Sequence, residues 1–189
     1  YGREGDRFRF YEINPNVVVA AREQFGFLSG SRAKCEIALG DARLVLEREP
    51  PQGFDVLVLD AFSSDAIPVH LLTVEAFELY LRHLRPDGVI AAHVSNLHLD
   101  LSPLLFRLAE RHGLSSLLVA TQEERAEYLL ARSDWMILTR DAAFLSELRE
   151  RFRPWRDRKV VGLYVGDPAR YRSVALWTDD YSNLLQVWR

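Results

Sequence analysis

The sequence predicts an α/β fold built on a doubly wound, mostly parallel sheet. Two observations carry this expectation. Strand and helix patterns alternate along most of the chain, and residues 54–60 (FDVLVLD) form a near-continuous apolar run of the kind that is buried on both faces of a parallel sheet. In such sheets the carboxyl ends of the strands line the ligand crevice, so an acid that closes a strand is placed where chemistry happens.

The elements follow in order. Residues 7–12 (RFRFYE) alternate polar and aromatic side chains as a strand does, and Asn14-Pro15 breaks the chain into a helix over 16–25. A second strand over 35–39 is closed by Gly40-Asp41, and the helical stretch 42–48 stops at Pro50-Pro51. Residues 54–60 are the third strand. After the loop DAFSSDAIP, Thr73 caps a helix in which Val74, Phe77, Leu81 and Leu84 recur at helical spacing, and Arg85-Pro86-Asp87-Gly88 ends it. The fourth strand covers 89–95. Ser102-Pro103 supplies a cap and a first-turn proline for a helix to His112, where Gly113 is suited to a left-handed stop. Strands at 114–120 and 135–139 follow, and Asp141 caps a helix through Phe152. The stretch 160–189 is less regular, with a β pattern VVGLYV followed by TDDYSNLLQVW. No repeat, low-complexity segment or linker divides the chain, so a single domain over 1–189 is expected.

Composition narrows the function classes. The 189 residues are 48% apolar and 27% charged, enough to bury a core. A net charge of −3 and a pI near 6.0 leave no electrostatic footprint for nucleic acid. The single Cys35 excludes an internal disulfide and a cysteine metal cluster, and its setting in CEIAL reads as a packed core thiol. His70, His83, His93, His98 and His112 are scattered with no HExxH pairing, so no metal is expected. His93 and His98 follow the fourth strand and read as surface groups or supports behind the crevice. The sequence holds no run of about 18 apolar residues and opens on no signal-peptide pattern, so a soluble cytoplasmic domain is expected.

The acids are the strongest chemical signal. Glu12 ends the first strand, where an acid can accept from ribose hydroxyls; the alternative is a solvated carboxylate before a turn. Asp41 ends the second strand and can accept from an adenine amino group, or simply cap the helix that follows. Asp60 closes the apolar third strand, a costly place for a carboxylate unless something pairs it or uses it. Asp65 lies five residues on, suited to a cationic substrate or to a turn cap. Ser63 and Ser64 lack a Gly-x-Ser-x-Gly elbow, which argues against a serine hydrolase. Asp179-Asp180-Tyr181 forms a late acidic-aromatic cluster, either part of a cation pocket or a turn.

Glu12-Ile13-Asn14-Pro15, Gly40-Asp41-Ala42-Arg43, the run from Phe54 to Asp60, DAFSSDAIPVHLLTVEAF and the late WTDDYSN together resemble the spermidine synthase (aminopropyltransferase) family. Within it, they look most like bacterial spermidine synthase-like proteins whose synthase domain follows a membrane-transporter-like region. The resemblance implies a Rossmann-like sheet of the class I methyltransferase type, decarboxylated S-adenosylmethionine as aminopropyl donor, and a polyamine precursor such as putrescine as acceptor. It implies Glu12 at the ribose, Asp41 at the adenine, Asp60 as the catalytic acid and Asp65 at the polyamine; Ala42 is expected beside the donor, and Asp180 and Tyr181 beside the substrate. Ala61 and Phe62 intervene before Ser63, a departure from the family's Asp-Ser-Ser-Asp loop. The family's glycine-rich loop would precede Tyr1, and Gly2 and Gly5 do not supply it, so a truncated fragment lacking its first central strand is expected. Dimers and tetramers are usual in that family, which raises a homodimer as an assembly to test, alongside an attached membrane region.

The chemistry suits these residues. A primary amine arrives protonated at neutral pH, because its pKa is about 10.4, and must lose a proton before attacking carbon. A carboxylate can take that proton, and acids near the pocket also favour a cationic amine and a sulfonium donor. Two other functions share the fold: methyl transfer from intact S-adenosylmethionine to a small molecule, and non-catalytic sensing of a nucleotide or polyamine.

Overall fold

The computed structural model describes residues 2–61, 68–96, 98–121 and 133–188. The chain divides into two compact units, Tyr1–Pro50 and Pro51–Arg189, and each is described by itself.

The first unit runs β1 (Arg7–Glu12), α1 (Pro15–Glu23), β2 (Lys34–Leu39), α2 (Ala42–Arg48). β1 and β2 pair in parallel, with Arg7 opposite Lys34 and Glu12 opposite Leu39. The alternation seen in RFRFYE separates two faces. On one, Arg9 binds Glu36 at 3.1 Å, Glu49, and the Tyr11 hydroxyl, which donates to Glu49 at 2.8 Å. On the other, Phe8 and Phe10 stack at 6.3 Å and stay partly exposed. Burial first, and then the bond to Glu49, pushes the Tyr11 phenol up to about 12. Asn14 caps α1 through the Asn16 N–H at 2.9 Å, with Pro15 in its first turn. That helix ends at Glu23, two residues before the expected Phe25, with Gln24 as its C-cap. Cys35 is half-buried in β2 rather than packed in a core, because a two-stranded sheet has little interior to offer.

The second unit runs β3 (Phe54–Leu59), α3 (Val74–His83), β4 (Leu84–His93), α4 (Ser102–Arg111), β5 (Ser115–Thr121), β6 (Asp134–Thr139), α5 (Ala142–Asp157), β7 (Val161–Tyr164) and α6 (Pro168–Tyr171). Its sheet has the order β3-β4-β6-β5-β7. Only β3 and β4 pair in parallel, and the expected mostly parallel sheet is corrected here: β6 runs antiparallel between β4 and β5, and β7 antiparallel to β5. The physical reason is that β5 and β6 are consecutive strands paired directly, which antiparallel pairing allows without a crossover helix.

Register assigns the faces. Leu57, Ile90 and Leu138 share a row, as do Leu59, Ala92 and Met136, and this face is buried. Phe77, Tyr80, Leu104, Leu105, Leu108 and Trp177 extend the same core. The other face of β3 leaves Val56 and Val58 more than half exposed. Burial of β3 on both faces, expected from its apolar run, therefore does not hold in this unit, because β3 is the edge of its sheet and only the Leu57–Leu59 side is covered.

Three boundaries differ from expectation. The Arg85-Pro86-Asp87-Gly88 segment lies inside β4 rather than between helix and strand. The β3–β4 register jumps there from Phe54–Leu84 to Val56–Val89, an irregularity that accommodates Pro86, and a Cβ on Gly88 would stand 2.9 Å from the Phe54 carbonyl oxygen. Ser102 is the first helical residue of α4 rather than its cap, with its N–H on Asp100 Oδ1 at 3.1 Å. α5 continues past Phe152 to Asp157 across Pro154, whose missing N–H costs one bond on an exposed stretch of helix. Thr73 and Asp141 cap α3 and α5, and Gly113 takes φ +65° after α4, all as expected. Among the described residues no helix is long and apolar enough to cross a membrane.

Candidate active site

In the first unit, the parallel register brings Glu12 and Asp41 to the same carboxyl end, because Glu12 pairs with Leu39 and Asp41 stands two residues beyond it. Glu12 Oε1 accepts from the Asn14 N–H at 2.7 Å, which holds the turn into α1. Asp41 Oδ1 accepts from the Leu44 N–H at 3.0 Å, so the helix-cap reading of Asp41 is realised, and Ala42 opens α2 beside it.

In the second unit, Asp60 follows the last residue of β3 and its carboxylate is about half exposed. Its Oδ1 is 2.9 Å from His93 Nδ1. His93 ends β4, the parallel neighbour of β3, so the two strands deliver acid and imidazole to one end of the sheet. His93 Nε2 is 2.9 Å from Ser95 Oγ, and that oxygen accepts from the Asp134 N–H at 2.6 Å. The ring also stacks on Trp135, its register partner on β6, at 4.9 Å. With the hydrogen on Nδ1 the ring donates to Asp60 and Nε2 accepts from the Ser95 hydroxyl, whose oxygen also accepts from the Asp134 N–H. One carboxylate oxygen is thereby engaged on a side chain that stays about half exposed.

The turn from Thr178 to Tyr181 closes through Thr178 N–H to Tyr181 O at 2.8 Å and Tyr181 N–H to Thr178 O at 3.2 Å, so the turn reading of this cluster is realised. It docks on the start of α3, where Thr73 Oγ1 donates to Asp179 Oδ1 at 2.9 Å and the Asp179 N–H bonds Glu75 at 3.1 Å. α3 leads from β3 to the parallel β4, so its N-terminus lies at the carboxyl end of β3 and the turn shares that end with Asp60. Asp180 and Tyr181 are exposed there. Asp65, with Ser63 and Ser64, lies outside the described residues. His98 stacks on Trp188 at 6.1 Å rather than joining Asp60. No group of three or more metal-ligating side chains is found among the described residues.

Ser95, Asp134 and Trp135 were not legible as site residues in the sequence. His93 was readable only as a support, and the signal that could have raised it is the pair His93-x-Ser95 closing the strand next to the one that Asp60 closes.

Comparison with known proteins gives a sequence relative and a set of shared folds. Over 84 residues the chain is 33% identical to a polyamine aminopropyltransferase of Vibrio vulnificus, a match covering 43% of this chain and 27% of the relative. Over that stretch the chain is similar to an aminopropyltransferase. Its fold matches that of a probable spermidine synthase from Corynebacterium glutamicum with a TM-score of 0.54 and 19% identity, over 74% of this chain and 58% of that one. A spermidine synthase from Thermotoga maritima aligns at a TM-score of 0.49, with 18% identity over 71% of this chain and 46% of that one. The α/β fold is thus shared with the Corynebacterium protein. The chain spans about a quarter of the length of the curated relative and 58% of the Corynebacterium protein. No family model matches.

Proposed function

We propose that the chain serves aminopropyl transfer from decarboxylated S-adenosylmethionine to an amine such as putrescine, with Asp60 as the group that takes the proton. The nitrogen attacks the methylene carbon next to sulfur, the N–C bond forms as the C–S bond breaks, and the sulfonium leaves as a neutral thioether. The ammonium so formed must shed a proton, and the acceptor amine must also be deprotonated to react. A carboxylate beside the nitrogen meets both needs. The observation that carries this reading is the Asp60–His93–Ser95 chain: one carboxylate oxygen lies 2.9 Å from an imidazole that is itself backed by Ser95, and the carboxylate stays about half exposed at the carboxyl end of the sheet.

Supporting roles follow within each unit. Glu12 Oε2 suits two ribose hydroxyls, since Oε1 is already occupied by the Asn14 N–H. Asp41 would meet an adenine amino group while capping α2, with Ala42 beside it. In the second unit, Asp180 and Tyr181 offer a carboxylate and an aromatic face to a cationic amine, and Asp65 is proposed as the anchor of its far ammonium. A homodimer is proposed as the assembly.

The test is the intact protein with putrescine and decarboxylated S-adenosylmethionine, following release of the thioether nucleoside. Asp60→Asn is expected to lower turnover by about 10²–10⁴-fold while leaving donor binding within a few-fold. Turnover at the unsubstituted rate would remove Asp60 from the chemistry, and turnover with intact S-adenosylmethionine alone would favour methyl transfer.

A further inference from the structure

At the far end of the second unit's sheet from Asp60, a cavity of about 350 Å³ opens beside β5. Its origin is a mismatch in strand length. β7 pairs with β5 only over Leu118–Thr121, while β6 pairs with β5 from Ser115 onward. One backbone edge of Ser115 and Ser116 therefore has no strand beside it, and both residues line the cavity. α5 supplies a wall from Ala142, Leu145, Ser146 and Arg149, the i, i+3, i+4, i+7 positions of one helix face. The opposite wall is Phe106 stacked on Tyr171 at 5.8 Å. Gly166 closes it so tightly that a Cβ there would stand 2.7 Å from the Phe106 ring.

The polar groups share one character. Arg149 is half-buried, lines the cavity, and has no acid within ion-pair distance among the described residues. The neighbouring acids are engaged elsewhere, Glu150 with Arg153 at 3.0 Å and Glu110 with Arg172. Ser115 and Ser116 add hydroxyls, the Ser146 hydroxyl donates back to the Ala142 carbonyl at 3.1 Å, and no acid lines the cavity. The sequence 142–172 holds eight basic and four acidic residues in a chain whose net charge is −3, so the local field favours an anion.

We propose that this cavity binds a small monocarboxylate carrying an aromatic or aliphatic body, its carboxylate forked by Arg149 and its body against Phe106, Leu145 and Tyr171. One guanidinium fork matches one carboxylate edge. A phosphate dianion fits less well, because only one cation lines the cavity and Asp141 adjoins Ala142. The site is separate from the Asp60 centre. β5 runs in the same direction as β3 and β4, and Ser115 lies on the Val89–Thr139 row while Asp60 bonds His93, four residues along β4, or about 13 Å.

The test is an amide NMR titration of the intact protein with phenylacetate, its neutral analogue phenylacetamide, and inorganic phosphate. Phenylacetate is expected to shift Ser115, Ser116 and Gly166 saturably in the millimolar range, with phenylacetamide and phosphate at least about tenfold weaker. R149Q should bring phenylacetate down to the level of the amide. Equal binding of acid and amide, binding of phosphate alone, unchanged affinity in R149Q, or no shifts up to about 10 mM phenylacetate would each overturn the proposal. The comparison of acid with amide is made on the unsubstituted protein, so it decides the matter even where R149Q does not fold.

Discussion

Asp60 owes its orientation to a residue 33 positions away in sequence. His93 donates to the carboxylate when Nδ1 carries the proton, and Ser95 Oγ stands 2.9 Å from Nε2 on the far side of the ring. His93→Gln keeps a donor near Asp60 but loses the stacked ring and the relay to Ser95. We expect it to lower kcat by about 10–10²-fold with little change in donor affinity, measured by steady-state kinetics over both substrates. An equal loss in a thermally destabilised protein would point to a structural role instead.

His112 illustrates the same scale in stability. Burial against Phe77, 6.1 Å away between rings, lowers its pKa. Glu78 works against this shift, and Arg111 and Arg140 work with it. A folded-state pKa below the unfolded one means that the unfolded chain takes up the proton first. The stability tied to neutral His112 is complete above the unfolded value of about 6.5 and is lost as pH falls through the lower folded value. Urea unfolding at pH 7.5 and at pH 5 should show that loss, and His112→Phe should flatten it.

At the scale of elements, caps carry much of the local design. Asn14, Asp41, Thr73 and Asp141 each accept from a first-turn N–H, and all four lie where short polar residues precede helical patterns. Asp41 has two proposed jobs, and substitution separates them. Asp41→Ala should cost about 1 kcal/mol in stability and weaken nucleoside binding, whereas Asp41→Ser should restore the cap and leave binding weak. Restored binding in the serine variant, read by calorimetry, would limit Asp41 to capping. Other element boundaries escaped the sequence because their causes are not local. The Arg85-Pro86-Asp87-Gly88 stretch has every mark of a turn, yet pairing with β3 and the close approach of Gly88 to Phe54 draw it into β4.

For the molecule as a whole, the C-terminal stretch that reads as irregular supplies the core's largest side chain. Trp177 is fully buried, and its carbonyl accepts from the Val74 N–H at 2.9 Å, tying the turn that holds Asp180 and Tyr181 to the start of α3. Trp177→Ala should cost about 3–5 kcal/mol in urea unfolding and release that turn from α3. Preserved stability with lost activity would instead place Trp177 in substrate contact.

The α/β class, nearly every helix and strand, the strand-ending acids and the aminopropyltransferase likeness were all legible in the linear chain. Periodicity, caps and motif spacing are local signals, and local signals survive without a structure. Strand order, the antiparallel placement of β6, the open face at Val56 and Val58, and the hold of His93 and Ser95 on Asp60 were decided only by the tertiary structure. Each of these depends on which distant segments pair, and pairing is settled by the packing of the whole sheet rather than by any stretch of sequence within it.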